Sequence, residues 1–236
     1  MHKAYAVIPT YNEAKNIGPL IAELLEAAPG LQVVVVDEKS SDGTGPLARM
    51  MQTQHPEFVQ VVHSHLALGL KEAYLAGFRL AIAQGATHLL TMDADFSHPP
   101  ALVPALIEAG ETTDLVIASR YEKASRIRNW RLFPRLRNAR LNSFAKKRFA
   151  KLKRIEIADC LSNFRCYSRE VLEKISFEAL STDGAALQVE LLRLVSDLGG
   201  SIKEVPFDFD ASRQDPAKLA GRHVKEARQA IARILS

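Results

Sequence analysis

Short apolar segments alternate with helical segments through the first half of the chain, and this alternation limits the possible fold more than any other feature. Five segments have the composition of strands: AYAVIP, LQVVVVD, FVQVVH, HLLTMD and DLVIAS. Strands that alternate with helices form a mainly parallel sheet that is covered by helices on both faces. The run VVVV at residues 33–36 is apolar on both faces, as a central parallel strand requires. The sequence therefore predicts an α/β fold.

The composition is that of a globular protein. The 236 residues are 47% hydrophobic and 25% charged, so that a single domain is expected over residues 1–236. No signal peptide is predicted, and the apolar runs are shorter than the roughly 18 residues that a membrane-spanning helix needs. Cys160 and Cys166 lack the spacing of a zinc site, which favours free thiols in a reducing compartment. The sequence therefore predicts a cytoplasmic protein.

Polar clusters directly follow four of the predicted strands. The segments IPTYNE, DEKSSDGT, DADFSHPP and SRY come after the first, second, fourth and fifth strands. In open α/β sheets the ligand binds at the carboxyl ends of the strands. A ligand site built from these four segments is therefore expected.

Asp93 and Asp95 form a D-x-D motif at the end of a buried strand. Carboxylates are unfavourable there unless a cation or hydrogen bonds offset their charge, and Mg²⁺ or Mn²⁺ binds such oxygens. The alternative is that the acids cap a helix that starts at the following prolines, with His98 as a residue of the helix start. The motif alone decides little, because a second D-x-D occurs at residues 208–210.

Asp37 and Glu38 also emerge from an apolar strand, where they are suited to accept hydrogen bonds from a base or a ribose. The rest of that segment is explained by helix capping, with Ser41 or Asp42 as the capping residue. His63 is expected to follow the third strand as a solvated loop residue.

Six segments, taken in order, resemble those of one enzyme family. They are VIPTYNEAKNI, VVVVDEKSSDGT, LGLKEAYLAGF, TMDADFSHPP, ASRY and FRCYSREVLEKI, and the resemblance extends from about residue 5 to residue 219. The chain resembles dolichol-phosphate mannose synthase and its bacterial polyprenol-phosphate relatives, which are inverting family-two glycosyltransferases. The resemblance implies a GT-A (nucleotide-diphospho-sugar transferase) fold. Residues 1–119 would form the nucleotide-sugar half and residues 120–236 the acceptor half.

The resemblance also implies roles for individual residues. Asp95 and Arg120 are implied to be catalytic, with Asp93 and Asp95 holding a Mg²⁺ or Mn²⁺ ion against the diphosphate of the donor. The implied donor-binding residues are Pro9, Tyr11, Glu13, Val36, Asp37, Glu38, Asp93, Ala94, Asp95, Arg120 and Lys218. The family usually has aspartate at the position of Glu38.

Departures from the family pattern lie mostly on the acceptor side. The usual D-x-T-x-G-F-R reads DCLSNFR at residues 159–165, and the late D-R pair reads ASR at residues 211–213. Ala185 and Ala186 replace the aromatic pair before the Q-x-E signature. The residues aligned with the acceptor site are Arg135, Asn138, Asp159, Arg165, Glu190 and Arg213.

The basic segment at residues 131–154 allows two interpretations. Residues 120–154 contain 14 of the 31 lysines and arginines but one acid, whereas the rest of the chain has 17 basic and 26 acidic residues. Apolar residues recur there at helical spacing, namely Leu141, Phe144, Ala145, Phe149 and Leu152. The residues alone favour a stripe packed on the domain over a helix lying in an anionic membrane interface.

The resemblance reverses that preference, because a polyprenyl phosphate acceptor has to be reached from a bilayer. Peripheral contact with the cytoplasmic face of an anionic membrane is therefore expected. Nucleic acid is not expected as a partner, because no recognised nucleic-acid module occurs in the sequence.

The predicted activity is a metal-dependent, inverting transfer of a sugar, mannose from GDP-mannose, to a polyprenyl or dolichyl phosphate. Two alternatives remain open because the acceptor side departs from the family. In the first, the donor site is the same but the acceptor is a hydroxyl, with Asp159 or Glu190 as the general base. In the second, the chain binds a nucleotide sugar without catalysis.

Overall fold

Nine strands lie in the computed structural model, which describes residues 3–64, 69–213 and 224–236. They are β1 (Ala4–Thr10), β2 (Gln32–Glu38), β3 (Val59–Ser64), β4 (His88–Thr91), β5 (Leu115–Ser119), β6 (Arg126–Arg128), β7 (Arg165–Ser168), β8 (Ile202–Pro206) and β9 (Asp208–Asp210). Seven of them form one sheet in the order β3-β2-β1-β4-β7-β5-β8, and β6 pairs with β9 in a second sheet.

Eight α-helices lie in the same described ranges. They are α1 (Ile17–Ala27), α2 (Thr44–Gln54), α3 (Leu70–Ala83), α4 (Val103–Gly110), α5 (Leu132–Lys153), α6 (Arg169–Glu173), α7 (Gly184–Asp197) and α8 (Val224–Ile234). Short 3₁₀ turns occur at Pro100–Leu102 and Phe177–Ala179. None of these helices combines the length and the apolar character needed to cross a membrane.

The predicted α/β fold is confirmed. All pairings in the large sheet are parallel except those of β7, which runs antiparallel to both β4 and β5. The helices cover both faces, and β2 shows how the faces divide. Val34 and Val36 belong to the core on one face, and Val33 and Val35 belong to the core on the other. The run of valines is thus the central strand that its two-sided apolar character predicts.

The segment SIKEVPFDF forms two strands, β8 and β9. β8 ends at Pro206, the last residue paired with β5, and β9 pairs with β6 outside the main sheet. Proline has no amide hydrogen to donate to a ladder, which fits its place at the end of the strand. The second D-x-D motif therefore lies in the small sheet, where Asp208 Oδ2 accepts a hydrogen bond from Arg128 at 3.1 Å.

The apolar stripe of α5 packs on the domain. Leu141, Ala145 and Phe149 are buried in the main core, and Phe144 is partly buried against it. These four residues are used in packing, as the interpretation that the residues alone favoured predicts, whereas Leu152, the fifth residue of the predicted stripe, is 41% exposed. The side chains of α5 that are exposed and apolar lie mainly at its N-terminal end.

Candidate active site

The loops after β1 and β2 are fastened to each other at the carboxyl edge of the sheet. The amide of Asn12 donates to Ser40 Oγ at 2.9 Å, and the amide of Glu13 donates to Thr44 Oγ1 at 2.8 Å. Thr44 begins α2, and both its amide and its hydroxyl donate to Asp42 Oδ1. The N-cap position itself is held by Gly43 and not by either of the two predicted capping residues, but Asp42 accepts the first helical amide from one residue earlier. These hydrogen bonds tie the two loops together.

Asp37 is completely buried, and both of its carboxylate oxygens have protein partners. Oδ1 accepts hydrogen bonds from Thr10 Oγ1 at 3.2 Å and Ser40 Oγ at 2.5 Å, and Oδ2 lies 3.0 Å from His63 Nδ1. His63 belongs to β3, opposite Asp37 in the register, so its predicted place in a loop is wrong, whereas the residue is exposed as predicted. In these contacts Asp37 supports the loops around the predicted nucleotide site.

The other predicted donor-binding residues near β1 and β2 differ in accessibility. The side chain of Val36 is buried in the core, so that only its backbone is placed to line a ligand. Pro9 lies beside it in the register, and Tyr11 is 53% exposed. Glu38 stands at the edge of the sheet, where Oε2 accepts a hydrogen bond from the Gly69 amide at 2.8 Å. Lys218 lies outside the described residues.

The D-x-D motif occupies a tight turn directly after β4. Asp95 Oδ1 accepts a hydrogen bond from the Ser97 amide at 3.0 Å, and Asp93 Oδ1 accepts one from Asn163 Nδ2 at 3.2 Å. Ala94 is buried between the two acids. Phe96 has a φ of +60°, which is unfavourable for an aromatic residue. Such strained conformations occur mainly at functional sites.

His98 is part of this turn and not simply a residue of a helix start, as was predicted. Its side chain is buried and stacks on Phe164 with the ring centroids 4.8 Å apart. The Asp93 amide donates to Nδ1 at 2.9 Å, so that the proton of the neutral ring lies on Nε2, 3.8 Å from Asp93 Oδ2. Burial lowers the pKa of His98, and the nearby carboxylates of Asp93 and Asp95 offset only part of this effect. His98 therefore acts here as a neutral support for Asp93.

The residues of this turn fit a divalent cation that would also be bound by the diphosphate of the donor. Among the described residues, no group of three or more His, Cys, Asp or Glu side chains is placed to enclose a metal ion. The two acids are nevertheless next to a buried hydroxyl, Ser97 Oγ, which has no hydrogen-bond partner. Hard cations bind carboxylate and hydroxyl oxygens, and Mg²⁺ in particular takes few protein ligands and completes its shell with phosphate and water. Asp93, Asp95 and Ser97 are the residues that would hold it.

Arg120 and Asp159 form a buried ion pair behind this turn. Arg120 donates through Nε to Asp159 Oδ2 at 2.7 Å and through Nη2 to Oδ1 at 2.8 Å, and its amide also donates to Oδ2. Aromatic rings surround the guanidinium, with Tyr121, Trp130 and Phe209 each centred 5.6 Å from its central carbon. Two of the five N–H groups of the guanidinium donate to Asp159, and the other three do not bind this carboxylate.

The charges of this pair stabilise each other. Burial alone raises the pKa of Asp159, but the charge and hydrogen bonds of Arg120 outweigh burial and hold that pKa below its usual value. Burial likewise opposes the charged form of Arg120, and Asp159 more than compensates, so that the pKa of the guanidinium is raised. Both groups are therefore ionised at neutral pH, and Asp159 is a weak proton acceptor.

A cavity of about 870 Å³ opens beside the D-x-D turn. Asp93, His98 and Arg120 line one end of it. Three helices also line it with both apolar and polar side chains. The apolar ones are Leu141 on α5, Ala185 and Ala186 on α7, and Ala227 and Ala230 on α8, and the charged ones include Arg137, Glu226 and Arg233. The two alanines that replace the aromatic pair of the family thus lie in the wall of the cavity. A cavity with a cation beside apolar side chains can hold a ligand that has both an anionic and an apolar part.

The predicted acceptor-side residues occupy different positions around this cavity. Asn138 lines it, with Oδ1 accepting a hydrogen bond from Tyr121 at 3.0 Å, whereas Arg135 is exposed on the outside of α5. The guanidinium of Arg213 stacks 4.0 Å above the ring of Phe96, which brings its charge to the D-x-D turn.

Arg165 and Glu190 are both engaged in holding loops. Arg165 is completely buried and donates to the carbonyl oxygens of Cys160, Ser162 and Gln188. Glu190 accepts hydrogen bonds from the amides and hydroxyls of Ser181 and Thr182. Any role of these two residues toward an acceptor would be indirect, through the loops that they hold.

Sequence reasoning missed three polar side chains of the site. Ser97 and His98 were within a quoted motif, but their importance depends on burial. Asn163 stands where the family has glycine, and its amide reaches Asp93. The replacement of the glycine by asparagine was itself a signal of this contact, because an amide side chain can hydrogen-bond to a neighbouring carboxylate and glycine has no side chain.

The sequence comparisons agree with this arrangement. Residues 5–176 match the profile of glycosyl transferase family 2. The polyprenol monophosphomannose synthase of Mycolicibacterium smegmatis is 35% identical over 226 residues, which cover 95% of this chain and 84% of that protein. The undecaprenyl-phosphate mannosyltransferase of Micrococcus luteus is 34% identical over 226 residues, covering 95% of this chain and 90% of that protein.

A solved structure has the same fold. Glucosyl-3-phosphoglycerate synthase from Mycobacterium tuberculosis, in complex with Mn²⁺, UDP and glucosyl-3-phosphoglycerate, matches with a TM-score of 0.67 at 21% identity. The match covers 99% of this chain and 80% of that one, and at this identity it is informative about the fold alone. The family match spans most of the chain and includes the strand-end loops of the site. This chain is a glycosyltransferase with the GT-A fold and belongs to glycosyl transferase family 2.

Proposed function

We propose that the enzyme transfers mannose from GDP-mannose to the phosphate of a polyprenyl lipid, with Mg²⁺ or Mn²⁺ bound at the D-x-D turn. Two relatives that cover nearly the whole chain are named for mannosyl transfer to polyprenyl phosphates. The cavity next to Asp93 and Arg120 combines a guanidinium with apolar side chains such as Leu141 and Ala186, which supports an acceptor that has a phosphate and a hydrocarbon part.

The observation that carries the choice of acceptor is the state of Asp159 and Glu190. A hydroxyl acceptor needs a general base, and these are the two carboxylates that the sequence offered for that role. Asp159 is paired with Arg120, and the oxygens of Glu190 accept hydrogen bonds from Ser181 and Thr182. A phosphate monoester has a second pKa of about 6 and is already largely a dianion at neutral pH, so it needs no base.

The chain's own residues then have mainly electrostatic work to do. A divalent cation at Asp93 and Asp95 would supply charge stabilisation to the leaving diphosphate. Arg120 offsets the repulsion between the donor diphosphate and the incoming phosphate, and the aromatic rings around it exclude water. A single in-line displacement at the anomeric carbon inverts its configuration.

Asp95→Asn tests the site, and the chain provides a matched control. The same substitution at Asp208, in the second D-x-D motif of the small sheet, removes one carboxylate from an exposed ion pair. We expect Asp95→Asn to lower kcat by roughly 100-fold or more and to weaken Mn²⁺ binding measured by electron paramagnetic resonance. Asp208→Asn should change neither. Full turnover of Asp95→Asn with saturating metal and both substrates would show that the proposed site is wrong.

Assays of the same purified enzyme with other acceptors distinguish between the alternative functions. Transfer of the sugar to a soluble alcohol or sugar, with none to polyprenyl phosphate, would favour the hydroxyl acceptor. Membership of a glycosyltransferase family makes donor binding without any turnover the least favoured outcome.

A further inference from the structure

Three large apolar side chains project into solvent from the first two turns of α5. Leu132, Phe133 and Leu136 are 64%, 84% and 44% exposed, and together they are called here the apolar tip of α5. Phe133 is the most exposed of the large hydrophobic side chains in the described ranges. The tip is distinct from the stripe of α5 that packs into the core, since no residue is common to both.

The segment of the chain that carries the apolar tip has charges of one sign. Residues 123–155 contain thirteen lysines and arginines and no acid. Arg131, Arg135 and Arg140 are exposed on the same part of α5, and none of the ion pairs between described residues involves them. The tip is therefore an apolar surface accompanied by exposed arginines that are close to it along the chain.

The other side of the same two turns faces the active-site cavity. Pro134, Arg137 and Asn138 line the cavity, and they alternate along the helix with the residues of the apolar tip. Arg120 lines the same cavity. A surface that binds to the tip would therefore lie beside the cavity that leads to the D-x-D turn.

We infer that the apolar tip inserts into the interface of an anionic lipid bilayer, with the accompanying arginines against the headgroups. This inference rests on the proposed function and specifies the surface through which the lipid acceptor is reached. Small apolar groups flanked by basic residues bind in this manner, because burial of apolar area adds to attraction by anionic lipids. A bilayer is favoured over a protein partner because exposed arginines that form no ion pair with the described residues, next to an exposed apolar group, match a surface that is anionic outside and apolar beneath.

Vesicle binding tests this inference without any reliance on catalysis. The full chain is sedimented with phosphatidylcholine vesicles and with vesicles that also contain phosphatidylglycerol. The test variant carries Leu132→Ser, Phe133→Ser and Leu136→Ser, and the control variant carries Met50→Ser and Leu198→Ser, two similarly exposed positions far along the sequence from α5. Circular dichroism and the thermal midpoint verify that both variants are folded.

We expect the wild type and the control to bind the anionic vesicles, and the tip variant to partition about tenfold less or weaker still. Equal binding of the tip variant and the wild type would overturn the inference. The inference would also be overturned if the wild type did not bind the anionic vesicles, or if it bound neutral vesicles equally well.

A second measurement separates this inference from the proposed function. The tip residues do not line the cavity, so the tip variant should retain transfer to a short prenyl phosphate in solution but lose transfer to a long acceptor embedded in vesicles. Equal loss with both acceptors would contradict a docking role. If no prenyl phosphate is a substrate while anionic vesicles still bind through the tip, the proposed function fails and the docking surface stands.

Discussion

Asp159→Asn is expected to cost far more stability than an ordinary change of one carboxylate to an amide. Asp159 is fully buried and accepts four hydrogen bonds, three from Arg120 and one from the Leu161 amide at 3.2 Å. Asparagine has nearly the same size but no charge, and its amide group would face the guanidinium donors. The substitution therefore leaves the charge of Arg120 buried without its counter-ion.

The magnitude follows from burial. Removal of one partner of a buried ion pair costs about 3–5 kcal/mol, because the remaining charge has lost both its solvent and its partner. Asp208→Asn is the matched control, since Arg128 and Asp208 also form an ion pair at 3.1 Å but their side chains are 55% and 47% exposed. An exposed pair contributes at most about 1 kcal/mol, so this control should change the free energy of unfolding little.

Urea unfolding measures both effects. Far-UV circular dichroism reports the global transition, and linear extrapolation gives the free energy of unfolding. The fluorescence of Trp130, the single tryptophan, reports the site itself because its ring is centred 5.6 Å from the Arg120 guanidinium carbon. If Asp159→Asn and Asp208→Asn differ by less than about 1 kcal/mol, the argument from buried charge is refuted.

Three further predictions concern packing, pH and the metal. Gly77→Ala should lower the free energy of unfolding by about 1–3 kcal/mol, because a Cβ there would lie 2.2 Å from Val7 Cγ1. Gly18→Ala should instead raise the free energy of unfolding by about 0.5–1 kcal/mol, because nothing lies within 4 Å of its Cβ. Thermal unfolding checks both, and the two variants should change the midpoint in opposite directions. The folded pKa of Asp159 lies below the usual 3.8, so its stabilisation should persist above that pH and disappear as the pH falls through the folded pKa. A difference between wild type and Asp159→Asn that already shrinks near neutral pH would contradict this sign. Ser97→Ala should weaken Mn²⁺ binding by about tenfold if its buried hydroxyl is a ligand, and unchanged affinity would exclude that role.

The parts of the fold that could be predicted are those that local patterns specify. The five strands before Ser119 follow from apolar runs between helical segments, and the two-sided burial of Val33 and Val36 follows from their place in a parallel sheet. The position of β7 could not be predicted, because insertion between β4 and β5 depends on long-range pairing. Similarly, the sequence of α5 identified an apolar stripe, but only tertiary packing decides whether such a stripe is buried.

The candidate site shows the same division. The rule that ligands bind at the carboxyl ends of strands predicted that Asp37, Asp93 and Arg120 lie at one edge of the sheet. The partners of these residues come from distant positions, 39 residues away for the Asp159 that pairs with Arg120. No local pattern encodes such a contact, which is why the pairing of Asp159 and the support of Asp93 by Asn163 emerge only from the structure.

One transfer assay decides whether a polyprenyl phosphate is the acceptor of this enzyme. The purified chain is incubated with GDP-mannose labelled in the sugar, with Mn²⁺ or Mg²⁺, and with and without a short polyprenyl phosphate, with UDP-glucose as the comparison donor. We expect metal-dependent transfer of mannose to the lipid phosphate with inverted anomeric configuration. Metal-dependent binding of GDP-mannose with no lipid product, under conditions in which a soluble alcohol or sugar accepts the label, would contradict it.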